Sequence, residues 1–189
     1  MQKKLKKRII ALAVLAAVAA VGVTLGFMFK KAATVNTFTP AAVSCAVHEK
    51  VDNEEVNAAA AEGDVKSDIR VENTGNIKEF LRLRLVSYFV DENGNVSGSE
   101  PSAYPDITLN DKWIAGAEHT YYYPEPIEPQ KLTPALCEPF TLEKRLTQDG
   151  KTVYQVVEVF AEAIQAEPNA AAAEAWNVTV SNGIITSAP

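Results

Sequence analysis

The amino-acid sequence predicts an all-β domain, a sandwich of short strands, that follows an apolar N-terminal segment. Apolar, often β-branched residues alternate with polar residues in several stretches, and clusters of Gly, Asn, Asp and Pro separate these stretches. Alternation with a period of two directs one set of side chains into a core. Closely spaced turn clusters are typical of packed antiparallel sheets. Only two short stretches have the alanine content of a helix, 169–176 and 58–61, and the second is either one helical turn or a loop, so helices contribute little to the prediction.

The first 33 residues differ from the rest in charge and hydropathy. Five basic residues precede an uncharged, apolar run at 9–29, and Lys30 and Lys31 follow it. A helix of this length spans the ~30 Å core of a bilayer, so the run is either a signal peptide or a retained anchor. The excess of positive charge before it places the N-terminus in the cytoplasm and the remainder outside. Cleavage near Ala32, Ala33 or Thr34 is the preferred alternative, because Ala32 and Ala33 are small.

The remainder, residues 34–189, is expected to form one strongly acidic domain. Seven of the 18 Lys and Arg residues lie in the first 33 positions, which contain no Asp or Glu. The other eleven oppose all 24 acidic residues, which gives residues 34–189 a formal charge of −13. This negative charge repels the phosphates of nucleic acids and of anionic lipids. Nucleic acid is therefore not expected as a partner, and the membrane is contacted only through the N-terminal segment.

Eight strands and one helix are predicted in the acidic domain. Turn clusters and prolines delimit the strands, and Asn93-Gly94 gives the strongest short turn signal. The helix is expected at 169–176, where alanines follow Asn169, a candidate N-cap. The strand at 153–163 is rich in β-branched and aromatic residues, so it is expected in the centre of a sheet. The predicted strands span 41–47, 65–72, 79–90, 107–109, 139–142, 153–163, 178–180 and 184–186.

A hairpin is predicted from the strands at 65–72 and 79–90. The Asn-Thr-Gly-Asn cluster at 73–76 supplies residues that tolerate the left-handed backbone of a reversal. Along the second strand, apolar and basic side chains alternate, which gives one buried row and one mainly basic outward row. The buried row contains Leu81, Leu83 and Leu85, and the outward row includes Arg82 and Arg84.

Six segments together carry a family resemblance. They are the long apolar run at 9–29, TVNTFTP at 34–40, VSCAV at 43–47, VKSDIRVENTGN at 65–76, YYYPEPIEP at 121–129 and VFAEAIQAEPNAAAAEAW at 159–176. Through these segments the chain resembles the TasA/camelysin-like family of exported proteins from Gram-positive bacteria. Long signal sequences of this family are processed by a SipW-type signal peptidase.

The resemblance implies an Ig-like or jelly-roll β-sandwich at the cell surface or in the extracellular matrix of a biofilm, where matrix-forming members assemble into fibres. The implied partners are further copies of the chain or other matrix proteins, and a signal peptidase during export. If cleavage frees residues 34–40, this segment is able to add a strand to a neighbouring copy, and Val35, Thr37 and Phe38 are the candidate assembly residues. Alternatively, the segment is the first strand of its own domain or a free tail.

Neither a catalytic nor a metal-binding constellation is predicted, and no cofactor is expected. Camelysin-type members are classed with metallopeptidases, but a zincin helix needs two His residues at i and i+4. The chain contains only His48 and His119. No nucleophile elbow, phosphate-binding loop or dinucleotide-binding fingerprint occurs. We therefore expect a non-enzymatic protein, with a metallopeptidase as an alternative that requires a metal site.

An aromatic group supports a second alternative, a surface module that binds a glycan or a host ligand. Trp113, Tyr121, Tyr122 and Tyr123 offer flat apolar ring faces with polar edges, on which a sugar can stack. Aromatic residues of strands more commonly pack into a sandwich core, which is the other interpretation of these four residues.

The two cysteines also have two interpretations. Cys45 and Cys137 either form one disulfide in an oxidising compartment or remain as buried free thiols. A bridge between them closes a long loop and stabilises the fold by ~4 kcal/mol at most on a chain-entropy basis. Two cysteines are too few for a disulfide scaffold, so the hydrophobic core must carry the stability.

Overall fold

The computed structural model describes residues 40–51, 64–97, 103–147 and 149–189. The predicted signal or anchor segment and the candidate assembly residues Val35, Thr37 and Phe38 lie outside these described residues. Within them, no helix is long and apolar enough to cross a membrane. Residues 41–189 form one compact unit.

The predicted all-β class is confirmed for the described part of the chain, which contains ten strands and a short helix near the C-terminus. The first five strands are β1 (Cys45–Val51), β2 (Val65–Asn73), β3 (Glu79–Val90), β4 (Ile114–Ala115) and β5 (Thr120–Tyr122). The remaining elements are β6 (Phe140–Thr141), β7 (Lys144–Leu146), β8 (Thr152–Gln165), α1 (Ala170–Trp176), β9 (Thr179–Ser181) and β10 (Ile184–Ser187).

Two antiparallel sheets share one hydrophobic core. The three-stranded sheet has the order β1-β2-β6, the five-stranded sheet has the order β4-β5-β3-β8-β7, and β9 and β10 form a separate hairpin. Ile69 and Val71 enter the shared core from β2, and the predicted row of leucines enters it from β3. The alternation of apolar and polar residues along β3 therefore has the predicted orientation, with Arg84 exposed on the opposite face.

A second core covers part of the outer face of the five-stranded sheet. Helix α1 and the β9-β10 hairpin pack over β3, so Phe80 is fully buried although it lies in the outward row of β3. The other buried members of this second core are Tyr122, Ala166, Ala172, Trp176, Val178 and Ile185. Strand β3 thus has a buried side chain on each of its faces.

The predicted hairpin of β2 and β3 was wrong, because the two strands belong to different sheets. The amides of the reversal at 73–76 bond outside the two strands: Thr74 and Gly75 both donate to the Ser44 carbonyl, at 2.9 and 3.1 Å, and Asn76 donates to the Ala42 carbonyl at 3.1 Å. The Asn73 side chain accepts a further bond from the Gly75 amide. These bonds stabilise the reversal at the point where the chain passes from one sheet to the other.

Five further elements differ from the sequence prediction. Residues 107–109 form no strand, and Leu109 makes only an isolated bridge with Cys137. Helix α1 begins after Asn169 as predicted, but the Asn169 side chain makes no capping bond, because its backbone is already helical (φ −52°, ψ −25°) rather than extended. The short strands β4, β5 and β7 were not predicted, since two or three residues carry no recognisable period.

Strand β2 contains a bulge opposite Glu49. His48 pairs with Arg70 and Lys50 pairs with Ser67, so two β2 residues lie opposite one β1 residue. Asp68 sits in this bulge with a φ of 54°, a left-handed value that Asp tolerates better than most residues. The bulge shifts the alternation of β2, and as a result Lys66 is buried although it lies three positions before the buried Ile69.

Gly75 is required by the close approach of the chain at the reversal. A Cβ atom at this position would overlap Glu79 Oε1 and the Ala42 carbonyl oxygen. We expect Gly75→Ala to lower the free energy of unfolding in urea by about 1–3 kcal/mol, the usual cost of overpacking. Thr74→Ala is the matched control. It removes only the exposed bond to the Ser44 hydroxyl, so it should cost under ~1 kcal/mol. Equal effects of the two substitutions would contradict this explanation.

Candidate functional site

The long strand β8 is paired on one side only along most of its length. It pairs with β3 from Tyr154 to Gln165, whereas β7 covers its other side only at Thr152, Val153 and Tyr154. The expected central position of this strand is therefore correct only at its first residues. From about residue 156 onward, β8 is an edge strand among the described residues.

Two hydrogen bonds show which backbone groups of β8 face away from β3. The Gln155 amide donates to the Glu143 carbonyl at 2.8 Å, and the Val157 carbonyl accepts from Lys66 Nζ at 2.6 Å. Backbone N–H and C=O groups point to alternate sides along a strand. Those of Val159, Ala161 and Ala163 therefore point to the same side as Val157, where no described strand pairs with them.

The side chains beside this open edge are apolar and incompletely covered. On β8, Val159, Ala161 and Ala163 pack against the shared core but are only half-buried, and so are Cys45 and Val47 on the adjacent β1. Alanine is depleted in strands and leaves space above the sheet. These half-buried side chains of β8 and β1 together form an apolar strip beside the open edge. Two alanines within a β-branched strand are the sequence signal from which this site could have been inferred.

The free edge of β1 is better protected than that of β8. His48 and Lys50 are exposed there, Glu49 forms an ion pair with the buried Lys66, and the bulge in β2 lies directly opposite. Charged residues and bulges are the usual means by which proteins prevent pairing at a sheet edge. Strand β8 has no such bulge in its pairing with β3, so it is the better acceptor for an additional strand.

The chain enters the domain close to the end of this open edge. The Ser44 amide donates to Glu79 Oε1 at 3.0 Å, and Glu79 pairs with Gln165, the last residue of β8. The Glu79 side chain is fully buried, and its Oε2 atom has no hydrogen-bond partner. Burial raises the pKa of Glu79, and the bond from Ser44 opposes that rise in part. Ser44 therefore lies near the Gln165 end of the open edge.

The two cysteines are free thiols in the structure, so the disulfide that was one of the two interpretations of the sequence is absent. Cys137 is buried in the shared core, and Cys45 on β1 packs against this core. Burial, with a smaller effect of Glu138, raises the pKa of Cys137 to about 11. Burial also raises the pKa of Cys45, assisted by the negative charges of Glu79 and Glu162. The interpretation as free thiols, left open by the sequence, describes the structure.

The four aromatic residues of the candidate ligand platform are all buried, which corrects that interpretation. Trp113 and Tyr123 pack edge to face with ring centroids 5.5 Å apart inside the shared core, where Tyr121 also lies. Tyr122 packs against Trp176 in the second core, with centroids 6.0 Å apart. The platform needs accessible ring faces, but these side chains are at most 8% exposed. They stabilise the interior on both faces of the five-stranded sheet.

The two histidines contact different residues. His48 Nε2 is 2.8 Å from Glu72 Oε2, and the His119 ring stacks on Tyr104 with centroids 3.3 Å apart. Within the described ranges, no group of three or more His, Cys, Asp and Glu side chains is placed to hold a metal ion.

A shallow cleft of about 290 Å³ lies on the outer face of the five-stranded sheet, beside α1. Its two arginines already have partners: Arg82 bonds to Glu162 at 2.8 Å and lies 4.8 Å from the Trp176 ring, and Arg84 bonds to Glu118 at 3.0 Å. Because these charges are neutralised locally, the cleft is a weaker candidate site than the open edge.

Comparisons with known proteins gave no match to this chain. No family model, no curated protein and no solved structure matches it. The proposed function therefore depends on the sequence and on the geometry of the described residues.

The buried carboxyl group of Glu79 should make stability depend on pH. Its pKa is raised in the folded state above 4.5, so the folded state binds the proton more tightly, and the contribution of Glu79 to stability falls as pH rises through the window above 4.5. Glu79→Gln should flatten this dependence and gain stability relative to the wild type at pH 7 but not at pH 4. Urea denaturation at both pH values measures it. An identical pH slope in the two proteins would contradict the assignment.

Free thiols should react with iodoacetamide without prior reduction. We expect slow alkylation of the native protein at pH 8, because the raised pKa values leave little thiolate, and two adducts by intact mass after unfolding in guanidinium. Cys45→Ser should give one adduct under the same conditions. A mass without adducts, until a reductant is added, would show a disulfide instead.

Proposed function

We propose that this protein is an exported, non-enzymatic structural subunit of a bacterial cell surface or extracellular matrix, with no cofactor, and that it self-associates by strand addition. The proposed fold is an Ig-like or jelly-roll β-sandwich, consistent with two antiparallel sheets around a shared core. The apolar run at 9–29, flanked by basic residues, supports export and processing by a signal peptidase. The resemblance to TasA/camelysin-like proteins supports assembly into the fibres of a biofilm.

The open edge of β8 is the observation that carries this proposal. Val159, Ala161 and Ala163 present backbone groups without a described partner strand, beside apolar side chains that the domain covers only in part. An added strand would satisfy the backbone groups and bury the apolar surface at once. Both contributions favour association with an extended segment over a folded surface.

The proposed occupant is the segment at 34–40 of a second copy. Its sequence, TVNTFTP, alternates β-branched residues with Asn36 and Phe38, so in an extended conformation Val35 and Thr37 face one way and Phe38 the other. The half-buried side chains of Ala161 and Ala163 offer apolar surface that a ring can cover. The proposed anchor is therefore Phe38, packed on the apolar strip formed by β8 and β1.

Removal of residues 34–40 should abolish assembly and leave the domain folded. Protein that begins at Thr34 should form oligomers or fibres above a threshold concentration, while protein that begins at Ala41 should remain monomeric in size-exclusion chromatography with light scattering. Thr37→Pro should act like the truncation, because proline removes a ladder N–H. If the truncated protein assembles equally well, the segment is not the donor. If it unfolds, the segment is the domain's own first strand.

Phe38→Ala should weaken assembly by ~2 kcal/mol, the transfer free energy of one buried phenylalanine. This corresponds to a rise of about 30-fold in the threshold concentration, measured by sedimentation of the assembled fraction. Asn36→Ala is a matched control on the same face of the segment, and it should change the threshold much less. Equal effects of the two substitutions would argue against an anchoring ring.

A further inference from the structure

We propose that Lys66 is the register stop for the added strand, a residue that fixes where pairing with β8 must end. This inference rests on the proposed strand addition and concerns the same edge. It predicts which β8 residues an incoming strand is able to pair with, and which it is not.

Lys66 occupies the hydrogen-bonding position that a strand would need at Val157. Its Nζ atom donates to the Val157 carbonyl at 2.6 Å and forms an ion pair with Glu49 Oε2 at 3.0 Å. The side chain is only 6% exposed. A strand that extends to Val157 must displace this ammonium group, which would leave a buried cation and its carboxylate without their partners.

Lys66 lies where the covered part of the β8 edge ends and the open part begins. The chain passes from β6, which pairs with Lys66 itself, to β7, which pairs with the first residues of β8. The segment from β6 to β7 covers this edge of β8 up to Gln155, whose amide donates to the Glu143 carbonyl. Lys66 covers Val157, and the open edge continues from Val159 to Gln165, the end of the strand.

The length and periodicity of the partners make this stop effective. The open edge at 159–165 and the donor segment at 34–40 each contain seven residues. A slip by one residue would turn Phe38 away from the apolar strip, because side chains alternate between faces. A slip by two residues toward β7 keeps Phe38 inward but carries the strand onto the Val157 carbonyl. Lys66 opposes this slip.

The test locates residue 38 of one copy on β8 of its neighbour. Protein that begins at Thr34 carries a photoreactive benzophenone amino acid in place of Phe38, and mass spectrometry identifies the crosslinked residues after assembly. In wild-type background we expect crosslinks around Ala161 and Ala163. In Lys66→Met, a change that keeps the volume but removes the charge, we expect additional crosslinks displaced by two residues, toward Val159 and Val157. Lys78→Met removes an exposed, paired lysine and should leave the pattern unchanged.

A second measurement needs no substitution at Lys66. Upon assembly of the otherwise unmodified protein, hydrogen exchange at the amides of Val159, Ala161 and Ala163 should slow at least tenfold, while exchange at Val157 should not change. Slowing that includes Val157, or an unchanged crosslink pattern in folded Lys66→Met, overturns the register stop and leaves strand addition intact. Failure of the wild-type protein to assemble, or crosslinks that avoid β8, overturns both proposals.

Discussion

The antiparallel pairing of β3 with β8 is the interaction on which the rest of the structure depends. It joins every residue of β3 from Glu79 to Val90 with a partner on β8, and the inward faces of both strands enter the shared core. Because β3 is also paired with β5 on its other side, its backbone groups are largely satisfied within the domain. From Val159 onward those of β8 have partners in described strands on one side only, and backbone groups require partners. The same register that builds the core therefore determines which β8 residues stay open.

The parts of the fold that were predictable from the sequence are those with a sustained local pattern. Strands β3 and β8 are long enough for apolar and polar positions to alternate over many residues, and the Asn182-Gly183 turn between β9 and β10 has the positive φ angles that these residues favour. The aromatic run at 121–123 lacks such a pattern, because all three rings are buried on a sheet that has a core on each face. Their burial is a property of the tertiary structure.

The candidate site was less accessible from the sequence, because the status of an edge is set by distant segments. The separation of β2 and β3 into two sheets depends on bonds from the turn to Ala42 and Ser44, about thirty residues earlier in the chain. The inward position of Lys66 depends on the bulge at Asp68, which a strictly alternating strand does not contain. A local sequence pattern shows neither these distant bonds nor the bulge. Only the alanines at 161 and 163 signal locally that β8 is poorly covered.

The net charge of −13 on residues 34–189 opposes the association of identical copies, yet the local arrangement at β8 reduces this opposition. Charges further apart than about 8 Å are largely screened at physiological ionic strength, so the groups beside the edge matter most. Of the two acidic residues on the outward face of β8, Glu162 is paired with Arg82, and Glu158 accepts a bond from the Tyr88 hydroxyl at 2.9 Å. The segment at 34–40 itself carries no charged side chain. A strand with no charged side chain, and with a positive N-terminal ammonium group when cleavage exposes Thr34, therefore approaches this edge against little local repulsion, while the acidic remainder disfavours less specific contacts between copies.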